Sequence, residues 1–135
     1  MIKQLRFDTL PYMNMNGDLK KFTKVMKALS DPNRVKIVKL LQHKSNLCVC
    51  ELRSLLGIAQ PTVSKHLKTL EEAGLVEYGK DGLWVNYSLA RSGRFTPYAP
   101  AMLQQLSAWL EADAEIASLV NQAPLVSREQ ICRKN

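Results

Sequence analysis

No stretch of the chain approaches the roughly 18 consecutive apolar residues that cross a bilayer, which excludes a membrane-spanning segment. Residues 1–17 lack the apolar core of a signal peptide, being interrupted by Lys3, Arg6, Asp8 and Pro11, so cytoplasmic residence is expected. There is no internal repeat and no low-complexity tract. With hydrophobic residues at 46% and charged residues at 23%, neither wholesale disorder nor a fibrous array fits. Cysteine is scarce and odd in number: three residues, two of them one position apart, make a poor disulfide framework and read as thiols for metal or redox chemistry. Histidine is scarcer still, with only His43 and His66, which disfavours a four-donor zinc site of the usual Cys, His and carboxylate kind. No nucleophile with a base, open metal centre or phosphate-cradling glycine loop is present, so neither an enzyme nor a catalytic cofactor is expected.

Acidic residues are in the minority, 12 against 19 Lys and Arg, giving a net charge of +7 and a pI near 9.5. Such a balance favours a polyanionic partner. The excess is concentrated. Between Lys20 and Lys68 stand Lys20, Lys21, Lys24, Lys27, Arg34, Lys36, Lys39, Lys44, Arg53, Lys65 and Lys68 against only Asp31 and Glu51, a run that fits a solvated helix face as well as a nucleic-acid surface.

The length, 135 residues, suits one core. Residues 1–17 show no sustained period and read as an arm. Asp18 suits the cap of a first helix carrying Leu19, Phe22, Val25, Met26 and Leu29 on one side and lysines on the other. Asp31 and Pro32 suit the N-cap and first position of a second helix, with Val35, Val38 and Leu41 inward, ending near Gln42. Ser45 or Asn46 offers a cap for a third helix through Leu56, which Gly57 closes and whose first turn holds Cys48 and Cys50. A fourth starts at Pro61 and buries Val63, Leu67 and Leu70. Turning 100° per residue sets Lys65 opposite that stripe, with Thr62 and Lys68 near it, Ser64 to the side and His66 at the edge of the buried face. After Gly74, Leu75–Tyr78 and Leu83–Leu89 read as strands around a Gly79–Gly82 turn. Gly93, Pro97 and Pro100 break the chain before a single last helix from about Ala101 to Pro124. Leu125–Asn135, which includes Cys132, is a tail for which no element is predicted.

Helices three and four make a helix-turn-helix, whose second helix lies in a major groove, and the hairpin adds a wing. The segments Leu29–Arg34, Cys48–Leu52, Gln60–Leu67 and Glu72–Val76 stand in a fixed order that closely resembles the ArsR/SmtB family of metal-responsive repressors, over roughly residues 18–123. The resemblance implies a mostly α, winged helix-turn-helix homodimer that binds double-stranded operator DNA and releases it on metal binding. Its first and last helices would form the dimer contact. Carried over residue by residue, Gln60, Thr62, Ser64 and Lys65 would contact bases or adjacent phosphates. Lys65, Lys68 and wing Lys80 read as phosphate contacts that position the protein, and His66 as either a DNA contact or a packing residue. The expected organisation is an arm (1–17), a DNA-binding and dimerisation domain (18–123) and a tail (124–135).

In that family, a Cys-Val-Cys-acidic-Leu sequence marks a site for arsenite or antimonite, or for cadmium and lead when further cysteines join. Soft thiolates select such thiophilic ions. On an ideal helix an i, i+2 pair is separated by about 200°, so Cys48 and Cys50 hold one ion only if the start of helix three is extended or distorted. The pattern's third cysteine is replaced by Arg53, leaving Cys132 as a ligand or a mere tail thiol. The family's other sensing site, on the last helix, finds Glu111, Asp113 and Glu115 here but no histidine, and is not expected. A thiol-redox repressor and an interaction module without DNA binding are the alternatives.

Overall fold

The computed structural model describes residues 17–91 and 96–132. All but the last residue of the predicted arm therefore lies outside the described residues. In order come α1 (Asp18–Ala28), α2 (Pro32–His43), α3 (Val49–Leu56), α4 (Gln60–Glu72), an antiparallel hairpin of β1 (Val76–Asp81) and β2 (Trp84–Leu89), α5 (Tyr98–Ala108), α6 (Ala114–Gln122) and α7 (Arg128–Cys132). No described helix is long and apolar enough to cross a membrane.

Local chemistry explains most boundaries. Asp31 Oδ1 accepts the N–H groups of Asn33 (2.8 Å) and Arg34 (3.2 Å), capping α2 behind Pro32. Burial of Asp31 works against ionisation, yet these backbone bonds, helped by His66 and Arg34, outweigh it and hold the carboxyl below its ordinary value. Gly57 ends α3 at φ +69°, in the left-handed region that favours glycine. Asp18 is the first residue of α1 and not its cap; Gly17 precedes it at φ +82°, and the Asp18 carboxylate instead receives the Tyr98 hydroxyl at 2.6 Å. That bond, with the edge-on contact of Phe22 and Tyr98, ties α1 to α5.

Helix α2 is the axis of the molecule. Ile37, Val38, Lys39, Leu40 and Leu41 are all buried, because α4, α5, α6, α3 and β2 pack around it. It therefore needs more than the single stripe its spacing suggests. The stripe of α4 is Val63, Leu67 and Leu70, as its period requires, all fully buried. The hairpin pairs Asp81 with Trp84, so the turn is Gly82–Leu83. This corrects the expected Gly79–Gly82 turn: Gly79 and Lys80 pair with Asn86 and Val85, and Gly82, at φ +63°, takes the bend.

A second correction concerns the last helix, which is two helices. Buried Lys39 donates to the carbonyls of Leu106 (2.5 Å) and Trp109 (2.8 Å) at the end of α5, taking acceptors that would otherwise face the next helical turn. Leu110 then adopts φ +68°, and Asp113 caps α6 through Ile116 N–H at 3.1 Å. Outside the break, Glu111 meets Lys39 at 2.5 Å and His43 at 2.9 Å. Lys36 pairs with Glu115 of α6. The Glu111 carboxyl is held below its ordinary 4.5, first by its bond to Lys39 and then by that to His43. Its stabilising contribution is thus complete above about pH 4.5 and lost as pH falls through the lowered folded value. Glu111→Gln is expected to reduce the slope of stability against pH in that acid range and leave the slope at pH 7 unchanged, as urea titrations at each pH will show.

Residues 124–132, for which the sequence predicts no element, complete a 3-10 turn (Ala123–Leu125) and form α7, which packs on α3.

Candidate nucleic-acid interface and thiol site

Two faces are the candidates for function: the outer side of α4 with the hairpin, and the turn that enters α3. On α4, Gln60, Thr62, Ser64, Lys65 and Lys68 are exposed, while Val63, Leu67 and Leu70 anchor the helix from beneath. Thr69 is half-buried, and its hydroxyl donates to the Lys65 carbonyl at 3.1 Å. Lys80 is exposed on β1, and Leu83 at the turn is 98% exposed. Polar and cationic groups are thereby presented together on one helix face, and among the described residues the Lys65 and Lys68 side chains form no ion pair that competes for them.

His66 differs from its neighbours. It is half-buried, with Nδ1 3.2 Å from an Arg34 guanidinium nitrogen and Nε2 3.9 Å from Asp31. Arg34 also donates to the carbonyls of Ala28 (2.7 Å) and Lys27 (3.2 Å), closing the C-terminus of α1. His66 is thus directed at the start of α2, whose Arg34 in turn reaches the end of α1.

The eleven clustered cations do not all face outward. Lys39 is buried, Lys36 is paired with Glu115, and Lys44 donates to the Ala123 carbonyl at 3.1 Å. These three, on α2 and its C-cap, hold the C-terminal helices, and Arg34 is likewise engaged within the fold, so local charge overstates the basic surface.

The thiol turn is built from the residues before α3. Asn46 takes the left-handed φ of +64° and Leu47 forms a β-bridge to Tyr87 of the wing, with N···O distances of 3.2 and 2.8 Å. Cys48 follows as the N-cap, extended at φ −90° and ψ 170°. It therefore stands before α3 and not in its first turn, which corrects the expected placement; Cys50 alone of the pair is in the first turn. The 200° separation of an i, i+2 pair does not apply to an extended residue followed by a helical one. Cys48 is buried and Cys50 half-buried.

Glu51 fixes this turn. Its carboxylate is buried and accepts the Cys48 backbone N–H at 3.0 Å, the reciprocal half of a capping box. Arg128 of α7 donates to the same carboxylate oxygen at 3.0 Å and to the Asn46 carbonyl at 2.7 Å, and its guanidinium lies 5.3 Å from the Trp84 ring centroid. Arg53, three residues beyond Cys50, carries a buried Nε with no hydrogen-bond partner among the described residues. Cys132 closes α7, and its side chain lies outside the described residues. Among the described residues no group of three or more His, Cys, Asp and Glu is placed to hold an ion; the donors in the turn are two sulfurs, a set suited to thiophilic ions and not to hard ones. Leu47, Trp84 and Arg128 adjoin the thiol turn unforeseen from the sequence, since a bridge to Tyr87 and a bond from residue 128 to residue 51 leave no local pattern.

Residues 31–78 match the model of the family described as "Bacterial regulatory protein, arsR family". The arsenical resistance operon repressor of Escherichia coli (strain K12) is 36% identical over 98 residues, 71% of this chain and 79% of that protein. A cadmium resistance transcriptional regulatory protein CadC homolog from Staphylococcus aureus is 44% identical over 66 residues, 49% of this chain and 54% of its own. Among solved structures, the transcriptional repressor BigR from Xylella fastidiosa aligns with a TM-score of 0.59 and 28% identity, over 74% of this chain and 93% of that one.

Proposed function

Starting from the fact that the chain belongs to the ArsR family and is a winged helix-turn-helix transcriptional repressor, not an enzyme, we propose that it leaves its operator when arsenite or antimonite is captured by Cys48 and Cys50. The observation that carries this reading is the position of Cys48. It is an extended cap at the start of α3, flanked on one side by the bridge to the wing and on the other by the helix that supports α4. Ligation of the two sulfurs changes the turn that is bridged to the wing and that begins the helix packed on α4.

Deprotonated thiols are the donors, and bound to them a trivalent metalloid or soft divalent ion supplies covalent or strongly coordinate bonds to sulfur. The chain's own part is to present one sulfur from an extended residue and the next from a helical first turn. Cys132 is the candidate third donor, because α7 packs on α3. On the DNA side, Lys65, Lys68 and Lys80 contact phosphates, while Gln60, Thr62 and Ser64 reach base edges. His66 supports α4 from behind. Two copies are joined through α1, where Leu19 and Phe22 remain exposed, and the last helical stretch, α5 and α6, which sets two α4 helices on half-sites one helical turn apart. Residues 18–123 form the DNA-binding and dimerisation unit. A cadmium- or lead-responsive repressor is the second reading, favoured by the 44% identity to the CadC homolog.

Fluorescence anisotropy with promoter DNA tests this. Arsenite or antimonite is expected to release the wild type at lower concentration than cadmium or lead, with zinc ineffective; the reverse order establishes the second reading. Lys65→Ala is expected to weaken binding about tenfold across operator sequences and to lower the salt slope by about 1. Cys132→Ser raising the inducer concentration needed establishes a third sulfur, and an unchanged concentration establishes a two-sulfur site.

A further inference from the structure

Resting on the reading of Cys48 and Cys50 as the inducer thiols, we propose that Arg128 is a positioning residue that clasps the thiol turn to the wing and holds it in the operator-competent form, so that the clasp sets how much inducer is needed. One guanidinium joins three parts of the chain that are remote in sequence. It donates to the Asn46 carbonyl at 2.7 Å and to Glu51 at 3.0 Å, and it lies over the Trp84 ring of β2 at 5.3 Å. Glu51 in turn holds the Cys48 N–H at 3.0 Å. The residue before Cys48 is bridged to Tyr87, on the same strand as Trp84. The turn is thus fixed at both ends and the wing is fixed to it.

The chemistry suits a clasp. Asn46 is held at φ +64°, a conformation that costs energy for most residues, and the bond on its carbonyl helps maintain it. Glu51 carries a side chain only 4% exposed, and Arg128 supplies its counter-charge. Neither partner of this pair lies in the groove-facing set, so the clasp serves the turn and not the DNA. Cys48 is buried in this turn, so an ion that reaches both sulfurs requires the turn to depart from the shape that Glu51 and Arg128 jointly hold. A contact made in one state only biases the equilibrium between the two by its own differential strength. Removal of the clasp therefore favours the ion-bound form. Linkage then demands opposite effects on the two ligands, tighter ion binding and operator binding that is unchanged or weaker.

The opposed signs separate this role from a folding defect, which weakens both. The experiment uses the full chain and two readouts: arsenite binding followed by sulfur-to-arsenic absorbance, and operator binding without ion followed by anisotropy. Arg128→Ala is expected to bind arsenite at least fivefold more tightly, with operator affinity equal to or a few-fold below wild type. Trp84→Leu removes only the stacked face and is expected to shift arsenite affinity in the same direction by less. Arg128→Lys keeps the charge beside Glu51 but not the planar fork, and is expected to fall between Arg128→Ala and wild type. If Arg128→Ala does not fold, the other two variants decide the matter. Arsenite affinity within twofold of wild type, or weaker, in the folded variants overturns the clasp. A wild type that binds arsenite yet keeps its operator overturns the repressor reading and the clasp with it, a result distinct from the first.

Discussion

Cys48→Ser together with Cys50→Ser is expected to hold its operator with wild-type affinity and to keep it at arsenite concentrations at least 100-fold above those that release the wild type. The size of the effect follows from the chemistry of the donors. Serine keeps the size of the side chain but replaces a soft thiolate by a hydroxyl that stays protonated at neutral pH, so the bond to a thiophilic ion is lost entirely. The unchanged operator affinity follows from the geometry. The cap of α3 is held by the Glu51 carboxylate on the Cys48 backbone N–H, a bond that serine at position 48 retains. Serine is also a better N-cap than cysteine. The single variants separate the two sulfurs: each is expected to lose response, because two donors on one turn bind an ion far more tightly than one. Anisotropy of labelled promoter DNA against arsenite, in wild type and the three variants, measures this.

Lys39→Ala is expected to give the largest loss of stability of any single cation removal in the chain, about 2–4 kcal/mol, since it strips the buried Leu106 carbonyl and the part-buried bond to the Trp109 carbonyl of their donor and opens a cavity where the stem had packed. The partly exposed Glu111 contact adds little to that figure. The turn between α5 and α6, with Leu110 at φ +68°, is the part of the structure that depends on this lysine most directly. Urea unfolding at fixed protein concentration is expected to show a lower midpoint with nearly unchanged slope. Lys39→Met restores most of the packing but not the two donated bonds, and is expected to recover less than half of the loss. A midpoint for Lys39→Ala indistinguishable from wild type would show that the break in the last helix stands without Lys39.

Lys39 and the thiol turn also mark what was legible in the sequence. The stripe Val63, Leu67 and Leu70 could be read because a helix buried on one face repeats its apolar residues at 3.6. The cap at Asp31 and Pro32 and the left-handed stop at Gly57 could be read because each depends on neighbours within a few positions. The exposed set on α4 followed from the same period. Lys39 could not be read as a core residue, because a lysine counts as surface charge until a distant carbonyl is shown to need it. The split between α5 and α6 was hidden for that reason. Apolar residues recur on both sides of the acidic stretch 111–115, where Asp113 was a local cap signal, but the lysine that takes the last carbonyls of α5 lies 67 residues from Leu106.

The thiol turn was half legible. Two cysteines beside a helix start, with soft-ion chemistry, were evident from residue type alone. Their backbone was not, because Ser45 and Asn46 are both better caps by propensity than Cys48. The competition is settled by tertiary pairing: Leu47 joins Tyr87 of the wing, and this carries the chain past Asn46 in an extended path before the helix begins. Glu51, the N3 residue of α3, was a local signal for a cap at Cys48 that helix propensity obscured.

The most direct measurement follows one sample by two signals. Arsenite is titrated into the preformed complex of wild-type protein and promoter DNA, with sulfur-to-arsenic absorbance and DNA anisotropy recorded together. The two curves are predicted to share one midpoint, with release complete when the absorbance saturates and both signals absent in the Cys48→Ser, Cys50→Ser protein. Saturation of the absorbance with the DNA still bound would contradict the account.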